Sequence, residues 1–227
     1  MATTLTFILG MERFNAHVWD VVAEEVRGFA PDIRILRFHD GHIEQRDPAL
    51  VQAIAEANIV FITLINMRGL ADWLADQVHA SPAQAVFAFE SMPEVMALTH
   101  VGEYRVSSGG RGSMPKPMQS LLRLITRGRD EDTLYAYTKL TRAAMRLLPL
   151  MPPKLKDFRT WLTTNIYWNQ PDQFHITQMI RLILRDCLGR ELEVAAVRPI
   201  PSMGCFHPDA GHFFDDPKAY LKWYDGY

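Results

Sequence analysis

Cysteine is nearly absent: Cys187 and Cys205 are the two in 227 residues, too few for a disulfide framework at this length. Neither stands at a metal-ligand or redox spacing from a histidine or another cysteine. No apolar run reaches the ~18 to 20 residues of a membrane span, and the first ten residues (Met-Ala-Thr-Thr-Leu-Thr-Phe-Ile-Leu-Gly) lack the basic start of a signal peptide. A soluble, intracellular protein is expected. Nucleotide motifs are missing too. The turn after the first apolar run (Gly10-Met11-Glu12-Arg13-Phe14-Asn15) has one glycine where a dinucleotide fingerprint needs three, and it has no Walker lysine. Gly109-Gly110-Arg111-Gly112 follows no predicted strand and reads as linker. There is no HExxH and no serine elbow.

Charge of one sign is scarce overall, since the formal net charge is −2, which removes support for a whole-chain nucleic-acid or membrane interface. It is unevenly spread. Residues 111–160 hold eleven Lys and Arg against four Asp and Glu, leaving thirteen against twenty-two elsewhere. Hydrophobic residues make up 48%, enough for an ordinary packed core.

Hydrophobic patterning supplies the fold class. Residues 5–9, 33–38, 59–65 and 85–89 read as buried strands. Between them, 15–29, 47–57 and 69–79 read as helices, the first with Val18, Val22 and Val26 on one face and the second opened by Asp47-Pro48. Alternating strand and helix means an α/β layer with a parallel sheet of Rossmann or flavodoxin-like type, spanning 1–106. A Gly/Ser/Pro-rich linker is expected at 107–117. A helical region follows over 118–190, with helices at 118–126, 131–148, 155–168 and 172–188, the last ended by Gly189. Residues 191–227 read as an extended and looped segment opening a further α/β element.

Several residues carry candidate chemistry, each with a plainer alternative. Glu90, Ser91 and Glu94 follow the fourth strand, on the edge where a parallel sheet binds ligands; Ser91-x-Pro93-Glu94 is also a simple helix cap, and local physics favours the cap. Lys139, Arg142 and Arg146 share one helical face, so Arg142 and Arg146 are candidates for docking an acidic partner or ligand, against the alternative of a solvated face. His39-Asp40-Gly41-His42 reads as a polar turn. His207, Asp209, His212, Asp215 and Asp216 have no spacing typical of a closed metal site, so no metal is assigned. Trp161, Tyr167, Trp168 and Phe174 either stack on a flat ligand or pack in the core.

Ser91-Met92-Pro93-Glu94-Val95-Met96 with Leu98, Val101 and Gly102 resembles a signature of the large, porphyrin-binding (H-type) subunit of magnesium chelatase, in the wider group that includes the cobaltochelatase large subunit. The resemblance continues through Leu147-Leu148-Pro149, the helix from Asp157 to Trp168, Met203-Gly204-Cys205-Phe206-His207-Pro208, and Tyr220-Leu221-Lys222-Trp223-Tyr224. It implies the N-terminal portion of that subunit, which supports ATP-dependent insertion of Mg2+ into protoporphyrin IX in chlorophyll or bacteriochlorophyll synthesis. ATP would be hydrolysed by separate AAA+ partner subunits. The expected partners are those subunits, the remainder of the large subunit and protoporphyrin IX, in the cytoplasm or the plastid stroma. The family's acidic and histidine residues around porphyrin and metal are expected beyond Tyr227, so no catalytic residue carries over and the segment alone is expected to be inactive. A free-standing tetrapyrrole- or partner-binding module, or a cobaltochelatase-type subunit, is the alternative.

Overall fold

The computed structural model describes residues 3–10, 16–106, 151–170, 172–198, 204–210, 213–214 and 216–227. Its centre is a sheet in the order β2-β1-β3-β4-β5-β6. Four parallel strands form most of it: β1 (Thr3–Leu9), β2 (Ile33–Phe38), β3 (Ile59–Thr63) and β4 (Ala85–Phe89). The two-residue strands β5 (His100–Val101) and β6 (Tyr104–Arg105) extend it in antiparallel sense.

Strand side chains alternate between faces, and the two faces bury different cores. Leu5, Phe7, Leu9, Phe61, Phe87 and Phe89 point to one. Helix α1 (Ala16–Phe29) covers it with Trp19, Val22 and Val26. Two later helices complete the cover: α6 (Lys156–Trp168), entered through a 3-10 turn at Pro153–Leu155, and α7 (Gln173–Leu188). Ile8, Val60, Ile62, Val86 and Ala88 point to the other face. There they meet α2 (Asp40–Glu44), α3 (Pro48–Ala55), α4 (Arg68–His79) and α5 (Pro93–Met96). The result is helix, sheet, helix, the α/β architecture expected.

The part of the 118–190 region that is described therefore shares one apolar core with the sheet. Phe61 meets Trp168 at 5.0 Å between ring centroids, and Phe89 meets Trp161 at 5.8 Å. Polar ties reinforce this. Thr177 Oγ1 donates to Glu25 Oε2 of α1 at 2.9 Å, and the Glu103 amide donates to Asp157 of α6 at 2.8 Å. The 107–117 linker and the helices of 118–148 lie outside the described residues.

Local chemistry sets the helix ends. Asp47 caps α3 through the Ala49 amide with Pro48 in the first turn, and Asp172 caps α7 through the His175 amide at 2.8 Å. Gly189 ends α7 at φ 68°, a left-handed position suited to glycine. One local expectation is corrected here. His39-Asp40-Gly41-His42 is not a bare turn: the His39 ring accepts from the Gly41 amide and the His42 ring from the His39 amide, a reciprocal cap that starts α2. The β5–β6 hairpin has no counterpart in the sequence reading, because two-residue strands carry no periodicity.

After α7, residues 189–198 adopt no regular element and run beside α6 and α7. Four helix side chains hold this segment. Tyr167 Oη donates to the Ala195 carbonyl, and Gln178 Oε1 accepts from the Ala195 amide at 2.8 Å. Arg181 reaches the Glu193 carbonyl, and His175 Nε2 lies 2.8 Å from the Arg198 carbonyl. The terminal part holds the two-stranded ladder of β7 (Cys205–Phe206) and β8 (Phe213–Phe214), then helix α8 (Pro217–Tyr224), capped by Asp216.

Candidate functional site: the carboxyl edge of the sheet

Strand order reverses between β1 and β3, so the crevice beyond their carboxyl ends is the topological position for a ligand in an open parallel sheet. The backbone closes tightly there. Gly10 follows β1 and donates its amide to Thr63 O at 2.9 Å. A Cβ at Gly10 would lie 2.3 Å from Leu64 O, so only glycine allows the two exit loops to approach this closely. Leu64, just after β3, has φ 59°, and Glu90, just after β4, has φ 48°. Two non-glycine residues in the left-handed region at neighbouring strand exits are strained conformations held by their surroundings.

Ser91 supplies much of the hold. Its hydroxyl accepts from the Ile65 amide at 3.1 Å and donates to Phe89 O at 2.9 Å, while the Met92 amide reaches Ile65 O at 2.8 Å. Ser91 thus stitches the end of β3 to the end of β4. It is not the helix cap expected from sequence: Met92 occupies that position in α5, with no side-chain bond to the free amides. The cap motif failed because the Ser91 hydroxyl is taken up by a competing donor, the Ile65 amide two residues past β3, and a competing acceptor, Phe89 O at the end of β4.

Glu90 is exposed. Glu94 is half-buried in α5, with Oε1 3.3 Å from Arg68 and Oε2 buried without a hydrogen-bond partner. Thr63 Oγ1, at the last residue of β3, is also buried and unpartnered. The structure thus gathers Glu90, Ser91 and Glu94 at one edge, with Arg68 unforeseen beside them. Arg68 opens the helix after β3, which is the one signal the sequence offers for it. Arg142 and Arg146 lie outside the described residues.

Other candidates resolve differently. Tyr167 and Trp168 are buried in the core, and Phe174 lies under Arg198, whose guanidinium is 3.7 Å from the ring centroid. Trp161 is half-buried against Phe89, Phe158 and Tyr104. Burial pushes the Tyr104 hydroxyl up to about 12 and, aided by the Asp186 charge, the Cys187 thiol up to about 12, so both remain neutral at physiological pH. Asp209 accepts from Tyr227 Oη at 2.5 Å and Asp216 caps α8; His212 and Asp215 lie outside the described residues. Among the described residues no group of three His, Cys, Asp or Glu side chains converges to hold a metal, and no helix is long and apolar enough to cross a membrane.

Comparison with known proteins adds the lineage. The chain is 39% identical over 220 residues, 96% of its length, to the magnesium-chelatase H subunit of Chlorobaculum parvum. It is 30% identical over 178 residues to the chloroplastic magnesium-chelatase ChlH subunit of Oryza sativa subsp. indica, covering 75% of this chain. A third relative, the magnesium-chelatase H subunit of Cereibacter sphaeroides, is 26% identical over 165 residues, 69% of this chain. The chain spans 17%, 12% and 13% of those three proteins respectively. Residues 5–162 match the model of a domain of unknown function, DUF3479, and with that match over more than half its length the chain belongs to the DUF3479 family.

Proposed function

We propose that this chain is the N-terminal part of the porphyrin-binding H-type subunit of a magnesium chelatase, supporting ATP-dependent insertion of Mg2+ into protoporphyrin IX for chlorophyll or bacteriochlorophyll synthesis. One observation carries the reading: 39% identity to the Chlorobaculum parvum protein, sustained over 96% of the chain. In this reading AAA+ subunits hydrolyse the ATP and Mg2+ is a substrate of the whole complex. The 107–117 segment links the α/β part to its helical region, and residues 191–227 lead into the rest of the subunit. The setting is the bacterial cytoplasm or the plastid stroma.

The chain's own contribution is a rigid platform. Glu90 and Glu94 present carboxylates at the carboxyl edge, Ser91 fixes the loops that carry them, and the buried Glu94 Oε2 has an unfilled acceptor toward a ligand or partner group. The test is a full-length large subunit from which the matching segment is deleted, assayed with the AAA+ subunits, ATP and protoporphyrin for Mg-porphyrin fluorescence. Insertion should fall and recover when this chain is added in trans, while the chain alone should yield no Mg-porphyrin. Undiminished insertion by the truncated subunit would refute the assignment of a supporting role.

A further inference from the structure

Away from the carboxyl edge, α6, α7 and the irregular segment at 189–198 line an open cleft of about 310 Å³. Tyr167, Leu182 and the run Val194 to Val197 give it an apolar wall, and Arg159, Arg185, Thr160, Thr163 and Asp186 give it a polar end. An apolar cleft of this size with a few convergent polar groups is the usual form of a small-molecule site.

The polar end has a defined charge balance. Asp186 is nearly enclosed, its side chain 9% exposed, and both its oxygens are engaged: Oδ1 accepts from Arg185 Nε at 2.8 Å and Oδ2 from Thr160 Oγ1 at 2.6 Å. Burial raises its carboxyl, but those two hydrogen bonds and the charges of Arg185 and Lys156 outweigh this and hold it below the ordinary carboxylate value. It therefore stays ionised and neutralises one guanidinium of the two. The Tyr167 hydroxyl is committed to the Ala195 carbonyl, and the Thr163 hydroxyl donates to Arg159 O at 2.7 Å. Arg159 is half-buried and meets no carboxylate among the described residues. Among the described lining groups the Arg159 guanidinium is thus left without a carboxylate, beside an apolar wall.

We infer that this cavity is a binding site for a monocarboxylate with an apolar stem, its carboxylate on the Arg159 guanidinium and its stem along Leu182 and Val194 to Val197. The chemistry follows from the lining. A carboxylate meets a guanidinium in a bidentate, charge-assisted pair, and a stem buried against the wall adds apolar area. One guanidinium without a carboxylate among the described lining groups calls for one carboxylate on the ligand. The site does not depend on the chelatase reading, because every group in it belongs to this chain.

Isothermal titration of the 227-residue chain with hexanoate and, separately, with hexan-1-ol tests the inference. Hexanoate should bind saturably and the alcohol at least roughly tenfold more weakly, the difference expected of a charge-assisted pair. Arg159→Gln should bring hexanoate to the level of the alcohol. Because Arg159 is half-exposed with no partner among the described residues, that variant should keep the wild-type urea midpoint. Ala196→Trp, which fills the wall, should weaken both ligands. Failure of hexanoate to bind, equal affinity for the alcohol, or unchanged affinity in Arg159→Gln overturns the site. Competition identifies the natural source: displacement of hexanoate by protoporphyrin IX points to a propionate arm, and the absence of displacement to a free small acid.

Discussion

Trp168 lies at the end of α6 and is 4% exposed, its ring 5.0 Å from that of Phe61 in the middle of the sheet. If the sheet and α6 share one core, truncation at this contact must destabilise both together. Trp168→Ala removes a buried indole and leaves a cavity that the surrounding strands cannot collapse to fill. Such a change costs about 3 to 5 kcal/mol, a large share of the roughly 5 to 15 kcal/mol that stabilises a typical domain. With a urea slope of about 2 kcal/mol per molar, the midpoint should fall by roughly 2 M. The assay is urea unfolding followed by far-ultraviolet circular dichroism and by tryptophan fluorescence, in wild type and variant. Both signals should shift together and keep a common midpoint. A midpoint lowered by less than about 0.5 M, equivalent to roughly 1 kcal/mol, would show that Trp168 is not in a shared core. Two separated transitions, with only one shifted, would refute the reasoning in a different way: the helices would fold apart from the sheet.

Three further outcomes are expected. Gly102 sits at φ 54°, and a Cβ there would meet Asp157 Oδ2 at 2.2 Å; Gly102→Ala should lower stability by about 1 to 3 kcal/mol, and Asp157→Ala in the same chain should recover part of the loss in urea titration. The carboxyls of Asp172 and Asp186 are held below their usual 3.8, burial being outweighed by hydrogen bonds from His175 and from Arg185 with Thr160; their stabilisation is therefore full above about pH 4 and lost as pH falls through the depressed values, so Asp186→Asn should lower stability near neutrality and flatten its decline in acid. Reversing Arg142 and Arg146 to glutamate tests the docking role expected from their shared helical face: if that role holds, binding of an acidic ligand or partner should weaken more at low salt than at high salt, because ionic strength screens such attraction; identical affinities at both ionic strengths would make the stripe ordinary surface.

The parallel strands and long helices were readable because burial imposes periods that the sequence must obey. Continuous apolar runs such as Ile59 to Thr63 are buried on both faces, and Ile176, Ile180 and Ile183 recur at helical spacing into the core. Elements with little period of their own were hidden. Helix α2 depends on two histidine rings trading hydrogen bonds with the backbone, and the β5–β6 hairpin exists because β4 offers it an edge. The carboxyl edge of a parallel sheet was legible from the alternation of strands and helices, but the strand order that sets its switch point was not. Nor was the construction of the candidate site, because Ser91 is held by Ile65 in the loop after β3 and Glu94 is met by Arg68 of α4. The α6–α7 cavity joins positions 159 to 197 across a packing that no single segment displays.

The sheet's two borders also bear on how the chain behaves before and between folded states. An open strand border recruits other chains by continuing the hydrogen-bond ladder. At one border, β2 places Arg34 and Arg37 along the strand, each paired across to an acid, Glu56 and Asp20. An incoming strand there would meet a guanidinium on each face of the sheet. At the other border the ladder ends on β6, only two residues long, with Arg105 exposed at its end. The apolar strands β3 and β4, the most hazardous if left uncovered, are interior to the sheet. Aggregation should therefore be suppressed once the hairpin has docked on β4, and variants that prevent its docking should precipitate before they unfold.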